Sequence, residues 1–449
     1  MIAKCGTVII GYGGMGGWHT QQLKTMEEIN LLGVYDILPG RNLLAEEKGL
    51  HAYSSFEEVL NDPQVDLVTV AIPNDQHRDV CIQAMEAGKN VICEKPVALN
   101  SRQLQDMIDA SKKNGVLFTV HQNRRWDEDF LTMKKIYDEG TLGPVFNIET
   151  RVHGSRGIPG DWRNAKVHGG GMVLDWGVHM LDQIMMMVEK PLRSVYAILS
   201  HVTNDDVDDG FKIFLDFEGG LNVQVEVGTS NFINLPRWYM QGNNGTAVMP
   251  DWFAENGRIV MVSDWENRDA VPVVTAAGLT KTMAPRTDDT ILEYPLPVLH
   301  SDVRDFYRNV AKAIRGEEAQ LVTHEQVMKV MKVMEAAFRS ADTNQVVTDI
   351  FDPLSQRGGA EFAPPLPLFH LKQKRPVLHS SIIASAFPEP IKPFSHREAG
   401  FPAARFRFCF SFGSLESRFS ENNRKGQRKC LRKGQKSVAF FLLLWYSKD

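Results

Sequence analysis

The chain lacks the features that mark several classes of protein. Its 449 residues include only 5 cysteines, none of them in the CxxC spacing of a zinc or redox site. No apolar run approaches the roughly 20 residues that span a bilayer, and the first glycine loop begins too early to leave room for a signal peptide. A net charge of −5 gives no general attraction to nucleic acid or to an anionic membrane. We therefore expect a reduced, cytoplasmic protein that binds a small molecule, without nucleic acid, membrane or metal.

The composition is that of a globular protein with more than one domain. Its 449 residues exceed what a single hydrophobic core usually supports. Residues 355–449 carry 17 Lys and Arg against 6 Asp and Glu, whereas residues 1–354 carry 33 against 49. We expect residues 355–449 to be a basic, largely disordered tail, because they show no sustained period. The basic stretch 424–436 could bind an acidic partner, but a solvated tail without a role is the simpler interpretation.

Residues 1–122 predict a doubly wound parallel sheet of the α/β class. Short apolar runs alternate with helical patterns, as is typical of strands that are buried on both faces. The predicted strands lie at 6–10, 31–35, 67–71, 90–93 and 117–120, and the helices start near 15 and cover 43–48, 77–87 and 101–114.

Residues 123–354 predict an α+β domain with longer, alternating strands. The segments 211–217 and 221–227 flank Glu218-Gly219-Gly220, which predicts a β-hairpin. We expect an antiparallel or mixed sheet with helices on one face. Further strands are predicted at 145–153, 195–202, 238–241 and 258–262, and helices at 128–139, 172–187, 301–315 and 324–341.

A glycine-rich turn predicts a dinucleotide site. Gly11, Gly13 and Gly16 form a GxGxxG pattern between the first strand and the first helix, where the glycines allow a tight turn, close approach of pyrophosphate and helix packing. Asp36, at the end of the second strand, would accept hydrogen bonds from ribose and repel a 2′-phosphate, which favours NAD over NADP. Arg41, which could reach such a phosphate, weakens that preference. The alternative is a glycine turn with a purely structural use.

Two polar clusters predict the chemical site. Lys95 follows the fourth strand at the C-terminal edge of the sheet, where open α/β sheets bind ligands. Asp175, His179 and Asp182 are spaced by four and three residues, so they share one face of a predicted, mostly apolar helix. Burying such groups destabilises a helix unless they are paired or face a cleft. The alternatives are a solvated Glu94–Lys95 pair and a self-satisfied His–Asp pair.

In combination, these motifs resemble the Gfo/Idh/MocA family of oxidoreductases. The resemblance runs from about residue 7 to 350 and includes Ala71-Ile72-Pro73-Asn74 with His77, Glu94-Lys95-Pro96, Asp161-Trp162-Arg163 and the stretches 123–127 and 169–182. It implies a Rossmann domain and a second domain whose large open, mostly antiparallel sheet is often used for oligomer contacts, hence a homo-oligomer. It also implies a catalytic set that corresponds to Lys95, Asp175 and His179. Residues beyond about 353 have no counterpart in the family pattern.

The same resemblance, with the glycine turn, supplies the remaining site residues. The predicted cofactor-binding residues are Gly11, Gly13, Gly14, Met15, Gly16, Asp36, Ile72, Pro73, Asn74, His77, Glu94 and Lys95. The predicted substrate-binding residues are Asn123, Arg124, His153, Trp162, Arg163, Lys166 and Asp182. For each of the second group, the alternative is an interdomain salt bridge or a core aromatic side chain.

The residue types fit hydride transfer between NAD and a secondary hydroxyl of a sugar, cyclitol or glycoside. Such a reaction needs a general base within hydrogen-bond reach of the hydroxyl. We expect His179 to take the proton, Lys95 to hold and polarise the reacting oxygen, and Asp175 to orient the pair, although the first two roles could be exchanged. Two other functions stay open: a glycosidase or lyase that reduces and regenerates bound NAD in each cycle, and a non-catalytic NAD-binding sensor.

Overall fold

A computed structural model describes residues 4–352 of the chain. These residues form a parallel five-stranded sheet followed by a mostly antiparallel eight-stranded sheet, which confirms the predicted fold class. The predicted disorder of residues 355–449 falls outside the described residues. None of the helices within residues 4–352 is long and apolar enough to cross a membrane.

The first sheet has the strand order β2-β1-β3-β4-β5, with all neighbours parallel. Because the order reverses between β1 and β3, the loops after these strands diverge and open a crevice at the C-terminal edge. Val8, Val68 and Val91 of its central strands are fully buried. The strands are β1 (Cys5–Ile10), β2 (Ile29–Tyr35), β3 (Leu67–Val70), β4 (Asn90–Cys93) and β5 (Phe118–Val120), and the helices are α1 (Gly14–Leu23), α2 (Pro39–Glu47), α3 (Phe56–Asn61), α4 (His77–Glu86) and α5 (Ser101–Asn114).

The second sheet has the order β15-β12-β11-β10-β6-β9-β8-β7, and only β6 and β9 are parallel. The predicted hairpin is confirmed as β8 and β9, and Gly219 and Gly220 adopt the left-handed backbone that its tight turn requires. The larger strands are β6 (Val145–His153), β7 (Leu192–Ser200), β8 (Gly210–Phe217), β9 (Leu221–Gly228), β10 (Trp238–Gly242), β11 (Gly245–Met249), β12 (Arg258–Val262) and β15 (Ile291–Pro295), and the helices are α6 (Glu128–Asp138), α7 (Val178–Met187), α8 (Arg304–Ile314) and α9 (His324–Thr343).

The last two helices return to the first sheet. His324 at the start of α9 bonds through Nε2 to the Phe118 carbonyl on β5 (2.8 Å). The hydroxyl of Ser101 at the start of α5 donates to the Glu335 carboxylate (2.9 Å). The Ala197 N–H on β7 donates to the hydroxyl of Ser340 on α9 (3.0 Å), so α9 contacts both sheets. The domain boundary between residues 122 and 123 stays a prediction.

Several features differ from the sequence-based expectation, among them the helix α3, which the sequence did not predict. The predicted helix at 172–187 begins with a π turn, Val173–Gly177, before α7. In addition, β11, β15 and the small exposed hairpin of β13 (Val273–Thr275) and β14 (Gly278–Thr280) are strands that the sequence did not predict. A strand with no buried face shows no apolar alternation, and every residue of β13 is exposed.

Candidate active site

The glycine loop after β1 combines close packing with open space. A Cβ at Gly11 would collide with the Ala71 carbonyl oxygen, and one at Gly16 would collide with the Gly11 carbonyl oxygen. By contrast, a Cβ at Gly13 or Gly14 would meet nothing within 4 Å. Gly11 and Gly16 therefore let the first turn of α1 pack on the sheet, whereas Gly13 and Gly14 leave backbone N–H groups accessible. That arrangement fits a dinucleotide pyrophosphate at a helix N-terminus.

The Asp36 carboxylate is fixed beside this loop. Its Oδ2 accepts a hydrogen bond from the Tyr12 backbone N–H (2.7 Å), and its Oδ1 accepts one from the Leu38 N–H (2.9 Å). Met15, which is 36% exposed, lies at the start of α1. The structure thus places a negative charge next to the glycine loop, where the ribose of a dinucleotide would lie.

Lys95 and Asp175 form an ion pair between the first sheet and the π turn. Lys95 Nζ donates to Asp175 Oδ1 (3.0 Å) and to the Asp175 carbonyl oxygen (2.9 Å). The Lys95 and Asp175 side chains are 15% and 13% exposed. Arg163 Nε donates to the other carboxylate oxygen (3.3 Å). Burial alone would raise the pKa of Asp175, but the charges of Lys95 and Arg163 hold it below its usual value, so Asp175 is ionised.

His179, near the start of α7, is a buried polar residue with an unused ring nitrogen. Its Nδ1 has no hydrogen-bond partner among the described residues. Burial lowers the pKa of His179 well below its usual value, and the positive charges of Lys95 and Arg124 lower it further. The ring is therefore neutral at neutral pH. A neutral imidazole with an unpartnered nitrogen can exchange a proton with a ligand.

Two tryptophans flank Arg124 close to this centre. The Arg124 guanidinium lies 4.2 Å from the Trp176 ring centroid and 5.7 Å from that of Trp252. The Trp176 ring lies 6.2 Å from the His179 ring, and Trp252 is 40% exposed. An arginine between aromatic faces is held rigidly by cation–π attraction. The sequence analysis did not select either tryptophan, although Trp176 directly follows Asp175.

The structure brings some of the other predicted substrate residues close to the centre. Trp162 lies in a short 3-10 turn, and its ring packs 4.5 Å from the Arg163 guanidinium that contacts Asp175. Lys166 is exposed in the next turn, where its backbone N–H donates to Asp206. Asn123 is partly buried at the start of the turn that carries Arg124.

Two other predicted substrate residues are engaged elsewhere. Both oxygens of Asp182 accept hydrogen bonds from the Arg125 guanidinium at 2.7 Å, in a buried pair. His153 lies on β6, where Nδ1 accepts a hydrogen bond from the Leu235 N–H (3.3 Å) and Nε2 lies 3.5 Å from Glu226. A buried carboxylate requires a cationic partner. Both side chains thus have partners within the protein, and their assignment as substrate contacts stays a prediction.

The predicted cofactor residues after β3 hold loops together. Asn74 is buried, and its Nδ2 donates to the Gly169 carbonyl oxygen (3.0 Å). His77 is also buried, with its two ring nitrogens 2.9 Å from the carbonyl oxygens of Pro96 and Ile72. The side chains of Asn74 and His77 are thus hydrogen-bonded within the protein, and their role in cofactor binding stays a prediction. The backbone of 72–74, including the exposed Pro73, still follows β3 at the crevice.

Glu94 is likewise turned inward instead of toward the crevice. Its Oε2 accepts a hydrogen bond from the Lys95 backbone N–H (3.0 Å). Its Oε1 contacts His19 Nε2 (2.9 Å) and His121 Nδ1 (2.8 Å). Burial alone would raise the pKa of Glu94, but the charge of His121 and the hydrogen bonds from His121 and His19 hold it well below its usual value. Glu94 thus contacts the Lys95 peptide, and its predicted contact with the cofactor stays a prediction.

The fold and the site define a class of protein. A glycine loop lies at the switch point of a parallel sheet, Lys95 follows β4 of the same sheet, and the next domain supplies Asp175 and a neutral His179, as expected for a nucleotide-dependent oxidoreductase.

The chain belongs to the Gfo/Idh/MocA family of NAD(P)-binding oxidoreductases. Residues 5–122 match the family model described as the oxidoreductase family with an NAD-binding Rossmann fold, and residues 130–248 match the GFO/IDH/MocA C-terminal domain. The resemblance inferred from sequence is thereby confirmed.

Three similar proteins match between 59% and 77% of this chain. The scyllo-inositol 2-dehydrogenase (NADP(+)) IolW of Bacillus subtilis is 26% identical over 348 residues, which span 76% of this chain and 94% of that protein. An inositol 2-dehydrogenase/D-chiro-inositol 3-dehydrogenase of Lactiplantibacillus plantarum is 26% identical, over 59% of this chain and 81% of its own length. The crystal structure of an NAD-binding protein from Listeria innocua is 45% identical with a TM-score of 0.75, over 77% of this chain and 100% of that one.

Proposed function

We propose that the protein oxidises a secondary hydroxyl group of a sugar, cyclitol or glycoside and passes the hydride to NAD. The observation that carries the proposal is the buried, unpartnered nitrogen of His179 beside the Lys95–Asp175 ion pair. These groups lie at the C-terminal edge of the parallel sheet, where the glycine loop opens toward a dinucleotide.

Each of the three side chains has a distinct role in this mechanism. A lysine ammonium has three donors, and Asp175 takes two of those of Lys95, so the third is left for the reacting oxygen. His179 is neutral and takes the hydroxyl proton, while Asp175 fixes the direction of Lys95. Bound NAD would supply the hydride acceptor. The roles of Lys95 and His179 can be separated by pH, because each assignment predicts a different profile.

NAD is the favoured cofactor because of the fixed carboxylate of Asp36. A 2′-phosphate would meet the negative charge that Tyr12 and Leu38 hold beside the glycine loop. The relative IolW is named as NADP-dependent, so cofactor preference differs within the family. We expect Asp36→Ala to weaken NAD binding about tenfold and to bring the NADP affinity closer to that of NAD, as measured by titration of each cofactor.

A ring-shaped polyol fits the surface beside the catalytic set. Trp176 and Trp252 offer apolar faces for the C–H side of such a ring, and Arg124 and Arg163 offer donors for its hydroxyl groups. Two of the relatives are named as inositol dehydrogenases, which supports the same class of substrate.

We also propose a homo-oligomer in a reducing, cytoplasmic environment. The outer face of the second sheet exposes Phe146, Ile198 and Phe214, which a second copy of the chain would cover. Cys5, Cys81 and Cys93 are buried free cysteines, which fits a reducing compartment.

Turnover with NAD against inositols, hexoses, 1,5-anhydro sugars and aryl glycosides tests the main proposal. We expect NADH to form with some members of the panel, and Lys95→Ala and His179→Ala to lose about 10²–10⁴-fold in kcat/KM. His51→Ala, at an exposed position, is the matched control. With His179 as the base, kcat/KM stays constant down to below pH 6.5, since its pKa is lowered from that value. Activity that varies with pH above 6.5 would contradict His179 as the base.

Other outcomes would point to the competing functions. Release of an aglycone without net NADH would indicate a glycosidase or lyase that regenerates NAD in place. Tight binding of NAD without turnover of any polyol would favour a sensor.

A further inference from the structure

Four buried polar side chains form a closed ring behind Lys95. Glu94 comes from the end of β4, His19 from α1, His121 from the segment after β5, and Tyr307 from α8. His19 and His121 are fully buried, and Glu94 and Tyr307 are 5% and 1% exposed.

Four short contacts connect the members of the ring. Besides the two contacts of Glu94 Oε1 with the histidines, the Tyr307 hydroxyl lies 2.6 Å from His19 Nδ1 and 3.2 Å from His121 Nε2. Both nitrogens of each histidine are therefore used. The rings of Trp18 and Phe306 lie 5.5 and 5.1 Å from the His121 ring and separate it from water.

Neutral members of the ring cannot supply a proton for every contact. An ionised Glu94 only accepts, each neutral histidine has one N–H, and Tyr307 has one O–H, which gives three protons for four contacts. When both histidines donate to Glu94, the Tyr307 hydroxyl can donate to one of the two remaining nitrogens but not to both. Its shorter contact is with His19, so the contact with His121 lacks a proton.

The charge of the ring leads to the same conclusion. With neutral histidines, the ring would bury one net negative charge away from water, which is strongly unfavourable. A proton on His121 Nε2 makes the ring neutral and turns the fourth contact into a hydrogen bond to the Tyr307 oxygen. Burial lowers the pKa of His19, which fits a neutral imidazole at that position.

We propose that the ring holds one proton more than its neutral members supply, with His121 as an imidazolium, and that it fixes the peptide that carries Lys95. Glu94 is the positioning residue, since its Oε2 accepts the Lys95 N–H while its Oε1 is held by the two histidines. The ring also ties Lys95 to α1, the helix that begins at the glycine loop.

Three side chains of the ring surround the additional proton on His121. Glu94, His19 and Tyr307 contact His121 or its partners directly, and each comes from a different element. His179 on α7 lies close enough for the charges of Glu94 and His121 to act on it. The stored charge therefore also acts on the proposed base, and this consequence alone rests on the proposed function.

Exchange of the histidine C2 hydrogen for deuterium tests the charge of the ring in the full-length protein. This exchange proceeds through the imidazolium, and mass spectrometry resolves it for each histidine. Near neutral pH, we expect the exchange rate of His121 to rise with pH, as for a protonated imidazole, while the rate of His19 stays independent of pH, as for a neutral one. Neutral behaviour of both histidines would overturn the proposal.

Two variants test whether the ring positions Lys95. Tyr307→Phe removes only the hydroxyl, and Glu94→Gln removes the charge at nearly constant shape; the matched control is Tyr294→Phe at an exposed position. We expect both ring variants to lower the protonation of His121 and to change the rate of Lys95 acetylation by a limiting reagent several-fold, with the control unchanged. If His121 and Lys95 respond as in the control, the proposal is wrong. Because neither readout needs a substrate, the ring can be tested even if the dehydrogenase proposal fails.

Measurement of the metal content tests a competing explanation, in which the cluster binds a metal ion. The ligand atoms of His19, Glu94 and His121 lie within 4.8 Å of one another, a group that sequence spacing did not reveal. Because a metal would occupy the nitrogens and the carboxylate that the ring uses, zinc at one equivalent per chain that is lost in Glu94→Gln would overturn the proposal. We expect no such metal, and the same deuterium-exchange pattern before and after treatment with a chelator.

Discussion

Glycines of the same motif have opposite tolerance to an added methyl group. Gly16 packs against the Gly11 carbonyl oxygen, so Gly16→Ala forces the backbone apart and should destabilise the fold by about 2–4 kcal/mol. Gly13 has open space around it, so Gly13→Ala should leave the melting temperature unchanged and weaken NAD binding at least about tenfold. Thermal unfolding and NAD titration separate the two effects.

Gly40→Ala is the control for this comparison, because Gly40 lies in α2 with nothing within 4 Å of an added Cβ. Equal loss of NAD affinity in Gly40→Ala and Gly13→Ala would mean that Gly13 does not line a phosphate site.

At the scale of single residues, the sequence identifies those site residues that stand in a short local motif. Gly11, Lys95 and His179 each stand in a short pattern, and the structure places all three at the crevice. Tyr307 and Trp252 stand in no such pattern. Their contacts depend on partners far away in the chain, as between Tyr307 and His19, which are 288 residues apart.

The π turn before α7 is held by a buried carboxylate on the segment before β8. Asp208 Oδ2 accepts a hydrogen bond from the Val173 N–H (2.8 Å), and burial raises the pKa of Asp208 to about 7 from its usual 3.8. Because the folded protein holds the Asp208 proton more tightly than the unfolded chain does, protonation of Asp208 stabilises the fold. This stabilisation is full below about pH 4 and is lost as pH rises to about 7. Asp208→Asn should remove that dependence, worth about 2–4 kcal/mol.

Unfolding free energies from pH 4 to 8 check this expectation. The exposed Asp205→Asn is the matched control. A wild-type protein whose stability does not fall between these limits, or an Asp208→Asn variant that keeps the same slope, would contradict it.

At the scale of elements, the strands with a clear apolar pattern were predictable. The predicted ranges agree with the structure for β4, β6 and β12. The strands β11 and β15 were missed for physical reasons, since β11 begins at Gly245 and β15 ends at Pro295 with almost no buried residue. The π turn was also missed, because an extra residue in one helical turn leaves no clear mark on the apolar period.

The outer face of the second sheet makes a prediction about the whole molecule. Ile198 on β7 and Phe214 on β8 are exposed large apolar residues on this face. If the sheet joins two copies of the chain, Ile198→Glu should bury a charge in the interface and weaken association by about 2 kcal/mol or more. Light scattering across a concentration series measures the effect.

Leu43→Glu, a comparable change at an exposed position of α2, should leave the assembly intact. A wild-type chain that is monomeric at every concentration, or an Ile198→Glu chain that assembles like wild type, would exclude this interface.

At the scale of the whole molecule, the sequence predicted two successive sheets but not that α8 and α9 return to the first sheet. Nothing in the periodicity of α8 or α9 indicates that Tyr307 completes a polar cluster under the first sheet or that His324 caps β5. Such contacts arise from tertiary packing, which local patterns do not encode.

The return of α8 has a consequence for synthesis on the ribosome. The glycine loop, Glu94 and the surrounding strands emerge from the ribosome long before Tyr307, so the polar cluster stays unfinished while the 186 residues from His121 to Tyr307 are added. A chain released early would carry the whole nucleotide fingerprint and yet lack the hydroxyl that closes the ring. We therefore expect chains that end before Tyr307 to hold Lys95 less rigidly than the full chain does.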